Sequence, residues 1–357
     1  MRAYIFLALF VSTALHGISQ TSAPADPMLP KDPRAILEAA APFYDFADPA
    51  LKPWHLKATY QLYDEKGAPT EQGTYEYWWA SPKVYRSTWT RAGATRTDWH
   101  TADGAMHRDQ TGKPLRHFER TLETTLLAPL PQRTDLDSGR LKLELRMIQL
   151  GQATLACVTS ALQFEVNGKL QAQSEDTPEV YCFDPTTLAL RLTNSSSVNA
   201  EYDQVIKTYG HYLARQVDVT IGNQKVFSVS VEAVNLIDPS DTAFSPATDA
   251  GLVPAAVNQT TDGQPGSSVT YGKLVKKTQP YYPPGAKAAR IQGVMVLGAV
   301  IGADGKVHDL EALASPSPLL TESALDCVKR WEYKPYMLDG VPVEVDTVVN
   351  VIFNLGG

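Results

Sequence analysis

Hydrophobic and polar residues alternate along most of the chain between Trp54 and Leu236. The clearest case is the segment Trp54–Tyr63, in which every second residue up to Leu62 is apolar and the residues between them are polar. Alternation with a period of two indicates β-strands that bury one face. Asp-Gly, Asn-Gly and Gly-Asn pairs separate several of the segments, as in tight hairpin turns. The pattern therefore predicts an antiparallel meander curved into a half-open β-barrel with short helices, one of them at His117–Leu127.

This periodicity stops at Asp238, and Pro, Ser, Thr, Ala and Gly predominate as far as Ser268. Such a composition is typical of a flexible linker. Beyond it, Val294–Ile301 is a continuous apolar run rich in β-branched residues, and Asp304-Gly305 suits the turn of a hairpin. A helical pattern follows, with an apolar stripe made of Leu320, Ala324, Cys327, Val328 and Trp331. The end of the chain is therefore predicted to be a separate, small α+β domain.

A chain of 357 residues has enough material for two cores, and we divide it into four parts. They are a signal peptide at residues 1–23, a half-barrel domain at 33–237, a flexible linker at 238–271 and a C-terminal domain at 272–357. Arg2 and the apolar run Ala3–Leu15 have the form of an export signal, and the run is shorter than the roughly 20 residues of a membrane-spanning helix. An uncleaved signal that tethers the chain to the inner membrane is the alternative.

Export makes the three cysteines interpretable. Cys157 and Cys182 lie in neighbouring strand-like segments, so an oxidising compartment would join them in a disulfide. Closing a loop of this size stabilises a fold by about 3 kcal/mol on the chain-entropy model. Cys327 lies in the helical pattern of the C-terminal domain and is predicted to be a buried, inert thiol.

Charge and motifs argue against several classes of function. A formal net charge of -7 leaves no basic excess for binding nucleic acid. The sequence contains no nucleophile elbow, phosphate-binding glycine loop or His-Glu zinc helix. His100, His107 and His117 do not have the spacing of a compact metal site. We therefore predict neither catalysis nor a metal or cofactor.

The first domain, about residues 33–237, resembles the LolA/LolB-like half-barrel family of periplasmic lipoprotein carriers. The similarity rests on Trp54–Tyr63, on Gly73–Arg86 with its Pro82–Arg86 turn, and on Val180–Pro185 followed by Leu188–Leu192. It implies an apolar concavity that binds acyl chains, and hence a lipid or lipoprotein ligand.

Tryptophans are concentrated at the start of this domain, and Trp54, Trp78 and Trp89 are the candidates for lining such a cavity. Ligand pockets are mostly apolar and aromatic, which favours this role. The alternative is that the same side chains fill the core of a curved sheet.

The last domain, about residues 272–355, closely resembles the C-terminal domain of the TonB family. The matching positions, in order, are Tyr282-Pro283, Ala286, Gly293–Ile301, Asp304-Gly305, Val307, Ser315-Pro316, Leu319, Ala324, Trp331, Tyr333, Pro335, Gly340, Pro342-Val343 and Val348–Phe353. The resemblance implies an energy transducer in transmembrane transport, which binds the N-terminal box of an outer-membrane receptor as an added β-strand.

A sheet that carries a helix on one face can accept an extended peptide at a free edge, by β-augmentation. The candidate partner-binding residues are Tyr282, Pro283, Val343, Val345, Thr347 and Val349. The first two lie in the segment that the resemblance connects with receptor contact, although Tyr282 could instead anchor the start of a short helix. The other four lie on the final strand, which Glu344 and Asp346 guard with charge.

Two functions follow from these patterns. The first is a periplasmic adaptor that binds an outer-membrane receptor or another envelope protein by strand addition, in energy-coupled transport. The second is a periplasmic carrier of a lipid or lipoprotein, with the C-terminal domain as its docking module. A cleavable N-terminus and a short linker depart from the pattern of energy-transducing family members, and these departures weaken the expectation of energy transduction without affecting the predicted fold.

Overall fold

The computed structural model describes residues 29–355, apart from 65, 132, 167–168, 173–177, 196–197, 222–223, 254–268, 271–272 and 339–340. The predicted signal peptide at residues 1–23 lies outside the described part of the chain. Within that part, none of the helices is long and apolar enough to cross a membrane.

Helices are few and short. They are α1 (Pro33–Ala40), α2 (His117–Leu127), α3 (Arg133–Asp137), α4 (Pro284–Ala288) and α5 (Pro318–Val328), with 3-10 turns at Ala41–Phe43 and Thr242–Phe244. Local sequence explains where they begin. The Asp32 side chain accepts a hydrogen bond from the backbone N–H of Arg34 at the start of α1, and Ser317 caps α5 ahead of Pro318 in the same manner.

The strands of the first domain form one extended antiparallel sheet. They are β1 (Trp54–Tyr63), β2 (Pro69–Ser81), β3 (Val84–Arg91), β4 (Ala94–His100), β5 (Met106–Thr111), β6 (Leu141–Leu150), β7 (Ala153–Val166), β8 (Lys169–Ala172), β9 (Glu179–Phe183), β10 (Leu190–Ser195), β11 (Val198–Thr208), β12 (His211–Ile221), β13 (Gln224–Leu236) and β14 (Gly251–Val253). Their order is β14-β5-β4-β3-β2-β1-β13-β12-β11-β10-β9-β7-β6, with β8 beside β7. The end strands β14 and β6 are not paired with each other, so this mostly-β domain is not a closed barrel.

Helix α2 lies across the inner face of this sheet. Its apolar stripe, Phe118, Leu122 and Leu126, is buried in the same core as Tyr60 of β1 and Phe227 of β13. The spacing of four residues places these side chains on one face of the helix. Fully burying each of them contributes roughly 1.5–3 kcal/mol, so apolar packing dominates the attachment of α2.

Cys157 on β7 and Cys182 on β9 stand directly opposite each other and form a disulfide, as the sequence predicted. Cys327 is free and fully buried in the second domain. It donates to the backbone oxygen of Thr278, which ties α5 to the segment before α4.

The predicted linker at residues 238–271 differs from the structure at its start. The indole Nε1 of Trp99 donates to the backbone oxygen of Ala243 at 3.1 Å, and β14 pairs with β5. Residues 238–253 therefore pack on the half-barrel domain, because the 3-10 turn covers the outward-facing ring of Trp99. Residues 254–268 lie outside the description.

The second domain is built on the three-stranded antiparallel sheet β18-β17-β22. Its strands are β15 (Val269–Thr270), β16 (Leu274–Lys276), β17 (Gly293–Ile301), β18 (Val307–Ala314), β19 (Glu332–Tyr333), β20 (Tyr336–Leu338), β21 (Val341–Val343) and β22 (Val345–Phe353). Two small sheets, β15-β20-β21 and β16-β19, flank it. The single final strand predicted from Val343 to Phe353 was wrong, since the chain leaves one sheet after Val343 and joins another at Val345.

The central strand β17 is buried on both faces, which explains its continuous apolar sequence. Met295, Leu297 and Ala299 pack in the core beneath α5. Val296, on the opposite face, packs in the core of the half-barrel domain, together with Leu313 of β18. The other domain therefore covers the second face of the sheet, while the core beneath α5 remains a separate cluster.

Candidate functional site

Strand β22 pairs with β17 on one side only, among the residues that the structure describes. Its other side is an edge whose backbone N–H and C=O groups have no strand partner there. An edge of this kind can accept an extended peptide through main-chain hydrogen bonds. It is the candidate binding edge of the protein.

The predicted side chains on this strand do not all lie at the edge. Val343 belongs to β21 and is buried with Val345 against Ile301 and Tyr336. Val349 is buried in the core beneath α5, and Thr347 is half-buried. The valines therefore hold the strand in place, and a guest strand would meet the backbone of β22 rather than these side chains.

Tyr282 lies beside the far end of the same strand. Its ring packs edge-on against Phe353, with 5.5 Å between the ring centroids, and its hydroxyl donates to the backbone oxygen of Ile291. Pro283 immediately precedes α4 and occupies its N-cap position. These contacts fit the anchoring role for Tyr282. The neighbouring Tyr281 is 68% exposed and is the side chain here that remains open to a partner.

The three tryptophans proposed for an apolar cavity do not face one space. Trp54 packs on Trp79, and Trp89 packs on Tyr75, all buried on the inner face of the sheet. Trp78 lies on the outer face, where its ring stacks on His55 at 4.5 Å and under the Arg86 guanidinium at 4.2 Å. The prediction that Trp78 lines a cavity with the other two was therefore wrong.

A group of charged side chains joins the domains, and sequence reasoning missed it. We call it the interdomain ionic cluster: Arg116 at the N-cap of α2, His117 and Arg120 from α2, and Glu311 and Asp346 from β18 and β22. Asp346 contacts His117 Nδ1 through Oδ1 at 2.7 Å, and accepts from Arg120 Nε through Oδ2 at 2.7 Å.

Glu311 completes the cluster at the start of α2. It accepts from the backbone N–H of His117, and its carboxylate lies 3.5 Å from Arg116 Nε and 3.9 Å from Arg120 Nη2. Free N–H groups at a helix N-terminus favour a negative charge. The C-terminal domain therefore supplies two carboxylates to a basic helix end.

The centre of the cluster is shielded from water, while Arg116 at its margin is 39% exposed. The side chains of His117 and Asp346 are 4% and 7% exposed, and that of Arg120 is 14% exposed. Burial alone would raise the pKa of Asp346, but the hydrogen bond and charge of His117 together with Arg120 outweigh it and hold the pKa below its ordinary value. Asp346 is therefore a buried carboxylate stabilised by its partners on the other domain.

A second buried network fixes the opposite side of α2 to the half-barrel. Glu119, which is fully buried, accepts from the hydroxyl of Tyr60 at 2.6 Å and from the backbone N–H of Arg116 at 2.8 Å. Arg91 Nε forms an ion pair with the same carboxylate at 2.9 Å. Charged groups on both sides thus hold α2 between the domains.

The backbone of Gly298 on β17 lies close against the side chain of His117. A Cβ atom built on Gly298 would lie 2.8 Å from both Cβ and Cγ of His117. Because these atoms stand at the root of a buried side chain, they cannot move aside cheaply. The absence of a side chain at this position is therefore a condition for docking.

Replacing Gly298 by alanine is expected to loosen the contact between the domains, because the added methyl group would push His117 away from Asp346. Gly285→Ala is the matched control, since an added Cβ there has only Leu319 Cδ1 nearby, at 3.8 Å. Small-angle X-ray scattering on the full chain should give a larger radius of gyration for Gly298→Ala and no change for Gly285→Ala. Equal radii for the two variants would contradict this prediction.

A cleft of about 580 Å³ opens beside the cluster, between the two domains. Its lining includes the apolar side chains of Phe118, Val226 and Leu313 and the charged side chains of Lys113, Arg116 and Glu71. This is within the size range of small-molecule sites. No group of His, Cys, Asp and Glu side chains suited to a metal ion occurs in the part of the chain that the structure describes.

Comparisons with known proteins identify the C-terminal region. Residues 278–355 match the family model described as Gram-negative bacterial TonB protein C-terminal. Protein TonB of Vibrio cholerae serotype O1 is 30% identical over 105 residues, and Protein TonB of Escherichia coli strain K12 is 32% identical over 95 residues. These matches span 29% and 26% of this chain, and only 43% and 38% of the relatives. The TonB resemblance predicted from the sequence is confirmed for this region.

Solved structures resemble the larger part of the chain more weakly. A DUF1329 family protein from Desulfovibrio piger covers 60% of this chain and 97% of its own, with 12% identity and a TM-score of 0.39. A LolA superfamily protein from Nitrosomonas europaea has the same coverage, with 10% identity and a TM-score of 0.36. These solved structures include the LolA type that the sequence resemblance predicted. TM-scores of this size carry no argument about function.

Proposed function

We propose that this protein is a periplasmic adaptor whose C-terminal domain binds an outer-membrane receptor or another envelope protein by strand addition at β22. The observation that supports this proposal is the edge of β22, which has no strand partner among the described residues. The region that contains β22 matches the TonB C-terminal family. Main-chain hydrogen bonds would provide affinity, and the flanking side chains would provide selectivity. The proposed role is binding, with neither a catalytic residue nor a cofactor.

Energy-coupled transport enters this proposal only through the family resemblance. In place of a long extended segment, the chain carries a folded half-barrel that is packed against the C-terminal sheet. A partner bound at β22 would therefore be held by a two-domain body. Tyr282 and Pro283 would support the far end of the binding edge.

Photo-crosslinking in cells tests the adaptor role. Benzoylphenylalanine introduced at Thr347 of β22 should cross-link the full chain to one envelope protein, through a short extended segment of that protein. Thr90, an exposed residue of β3, is the matched control position and should not capture it. Capture of nothing at Thr347, or of the same proteins at both positions, would contradict the proposal.

A second candidate function is that of a carrier for a lipid or lipoprotein. The cleft between the domains favours it, because Phe118, Val226 and Leu313 give it an apolar lining while Lys113 and Arg116 could meet an anionic head group. The buried packing of Trp54 and Trp89 weighs against a large cavity inside the half-barrel itself. Co-purified lipid found by mass spectrometry of the full chain would favour this function over the first.

A further inference from the structure

Strand β6 lies at one end of the large sheet, and β7 is its only strand partner among the residues that the structure describes. All ten of its residues pair with β7 without a register shift, and none of them is proline. Proline and β-bulges are common devices that keep an edge strand from pairing with another chain. Because β6 has neither, it presents a long and regular edge on which a further strand can add.

Backbone hydrogen bonds show which residues of β6 face this free edge. The backbone oxygen of Arg140, immediately before the strand, accepts from the backbone N–H of Gln163 on β7 at 2.7 Å. In an antiparallel pair this direction alternates from residue to residue, so the even-numbered residues of β6 turn their N–H and C=O groups toward β7. The odd-numbered residues, with Leu145 near the middle, therefore turn theirs toward the free edge.

Charged side chains on β6 favour one particular partner, a second copy of the same strand. Lys142, Glu144 and Arg146 alternate in sign along one face of the strand, and they are 58%, 43% and 69% exposed. If two copies of β6 pair antiparallel around Leu145, Glu144 of each copy lies directly opposite Arg146 of the other. Opposite charges in such cross-strand positions stabilise the pair, and like charges destabilise it. The strand is therefore self-complementary in this register, as a two-fold interface requires.

Neighbouring registers are less favourable for the same strand. Pairing around Glu144 would set Lys142 opposite Arg146. Pairing around Leu143 would set Arg146 opposite Arg140. Each of these two registers brings cations together across the strands, which destabilises the pair. The register described above is the one of the three in which charged residues meet only opposite charges.

We propose that two copies of this chain associate through β6, paired antiparallel around Leu145, so that their large sheets join into one. The same register covers exposed apolar side chains near the end of the strand. Met147 and Ile148 are 53% and 43% exposed, and they come to lie opposite Leu143 and Lys142 of the second copy. The aliphatic stem of a lysine covers an apolar neighbour while its ammonium group stays in water.

This association goes beyond the proposed function and does not depend on it. β6 and β22 belong to different sheets, so pairing at β6 leaves the candidate binding edge of each copy free. The contact closes after two copies, because each copy contributes its β6 edge once. The dimer would therefore present two binding edges to envelope partners.

Charge reversal tests the dimer in the full chain by sedimentation velocity. The native protein should show a dimer whose fraction rises with concentration. Glu144→Arg and Arg146→Glu each put like charges opposite each other twice per dimer, so each should weaken dimerisation about tenfold or more. An equimolar mixture of the two variants should dimerise as tightly as the native chain, because both cross-strand pairs then join an arginine to a glutamate. Lys83→Glu, at an exposed position between β2 and β3, is the matched control and should leave dimerisation unchanged.

Recovery in the mixture distinguishes a contact between chains from a folding defect, since neither variant regains the ion pair of Glu144 and Arg146 within its own strand. A native chain that stays monomeric would overturn the inference, as would a dimer that neither reversal weakens or that the mixture does not restore. A monomer that binds phosphatidylglycerol vesicles, and loses that binding on Met147→Ser substitution, would assign the apolar end of β6 to a membrane surface instead.

Discussion

Replacing Asp346 by alanine is expected to separate the two domains while each of them stays folded. The side chain of Asp346 is 7% exposed and bonds both His117 and Arg120, so its removal leaves the buried guanidinium of Arg120 without its nearest carboxylate. Breaking a buried pair from one side costs about 3–5 kcal/mol. Calorimetry should show one unfolding transition for the native chain and two for the variant, since the domains of the variant would no longer unfold together.

Asp326→Ala is the matched control, because Asp326 is an exposed aspartate of α5 in the same domain. It should leave the unfolding transition unchanged.

Lowering the pH should have the same effect on docking as the Asp346→Ala substitution. The pKa of Asp346 is lowered from 3.8 in the docked chain, so its contribution to docking is complete above that ordinary value and is lost as the pH falls through the lowered pKa. A single, unshifted transition in Asp346→Ala would show that the cluster does not hold the domains together.

Arg91→Met is expected to destabilise the half-barrel domain by about 3–5 kcal/mol, because it leaves a buried carboxylate without its cation. The Arg91 side chain is 3% exposed and that of its partner Glu119 is fully buried. Methionine keeps much of the packing volume of arginine, so the measured loss of stability would come from removal of the positive charge. Urea unfolding followed by circular dichroism measures this change in the free energy of unfolding.

A double variant separates charge from packing in this network. Arg91→Met combined with Glu119→Gln removes both charges, and the amide oxygen of the glutamine can accept from the backbone N–H of Arg116 while its NH2 group donates to the hydroxyl oxygen of Tyr60. Most of the lost stability should return, because the uncompensated charge is gone. An Arg91→Met chain as stable as the native protein would contradict the account of how α2 is held.

Much of the fold could be predicted from local pattern. The alternation from Trp54 to Leu62 predicted a strand with one buried face, and its five apolar side chains are all buried. The apolar run of β17 predicted a buried strand in the same way. Such predictions succeed because the period of side-chain direction is a property of the strand itself.

Trp78 shows where the pattern was misapplied. Trp78 and Trp79 are adjacent in β2, so they must point to opposite faces of the sheet. Trp79 pairs with Trp54 across β1 and β2, and it is the residue on the inner face. Strict use of the period would have selected Trp79 from the sequence.

The interdomain ionic cluster could not be predicted, because its members are remote in sequence. Asp346 and His117 are separated by 229 positions, and each is an ordinary polar residue in its own segment. The helical pattern at residues 117–127 gave no signal for the cluster, because Glu119 already places a carboxylate in the first turn of α2. Nothing local indicates that β18 and β22 provide two more.

The distance between the domains in solution tests the account most directly. Spin labels on cysteines at Thr90 of β3 and Glu322 of α5, both exposed positions, would report it by pulsed electron resonance, and the buried thiol of Cys327 would stay unlabelled. We predict one narrow distance distribution in the native chain and a broad one in the Asp346→Ala variant. A broad distribution in the native chain itself would contradict the docked arrangement of the two domains.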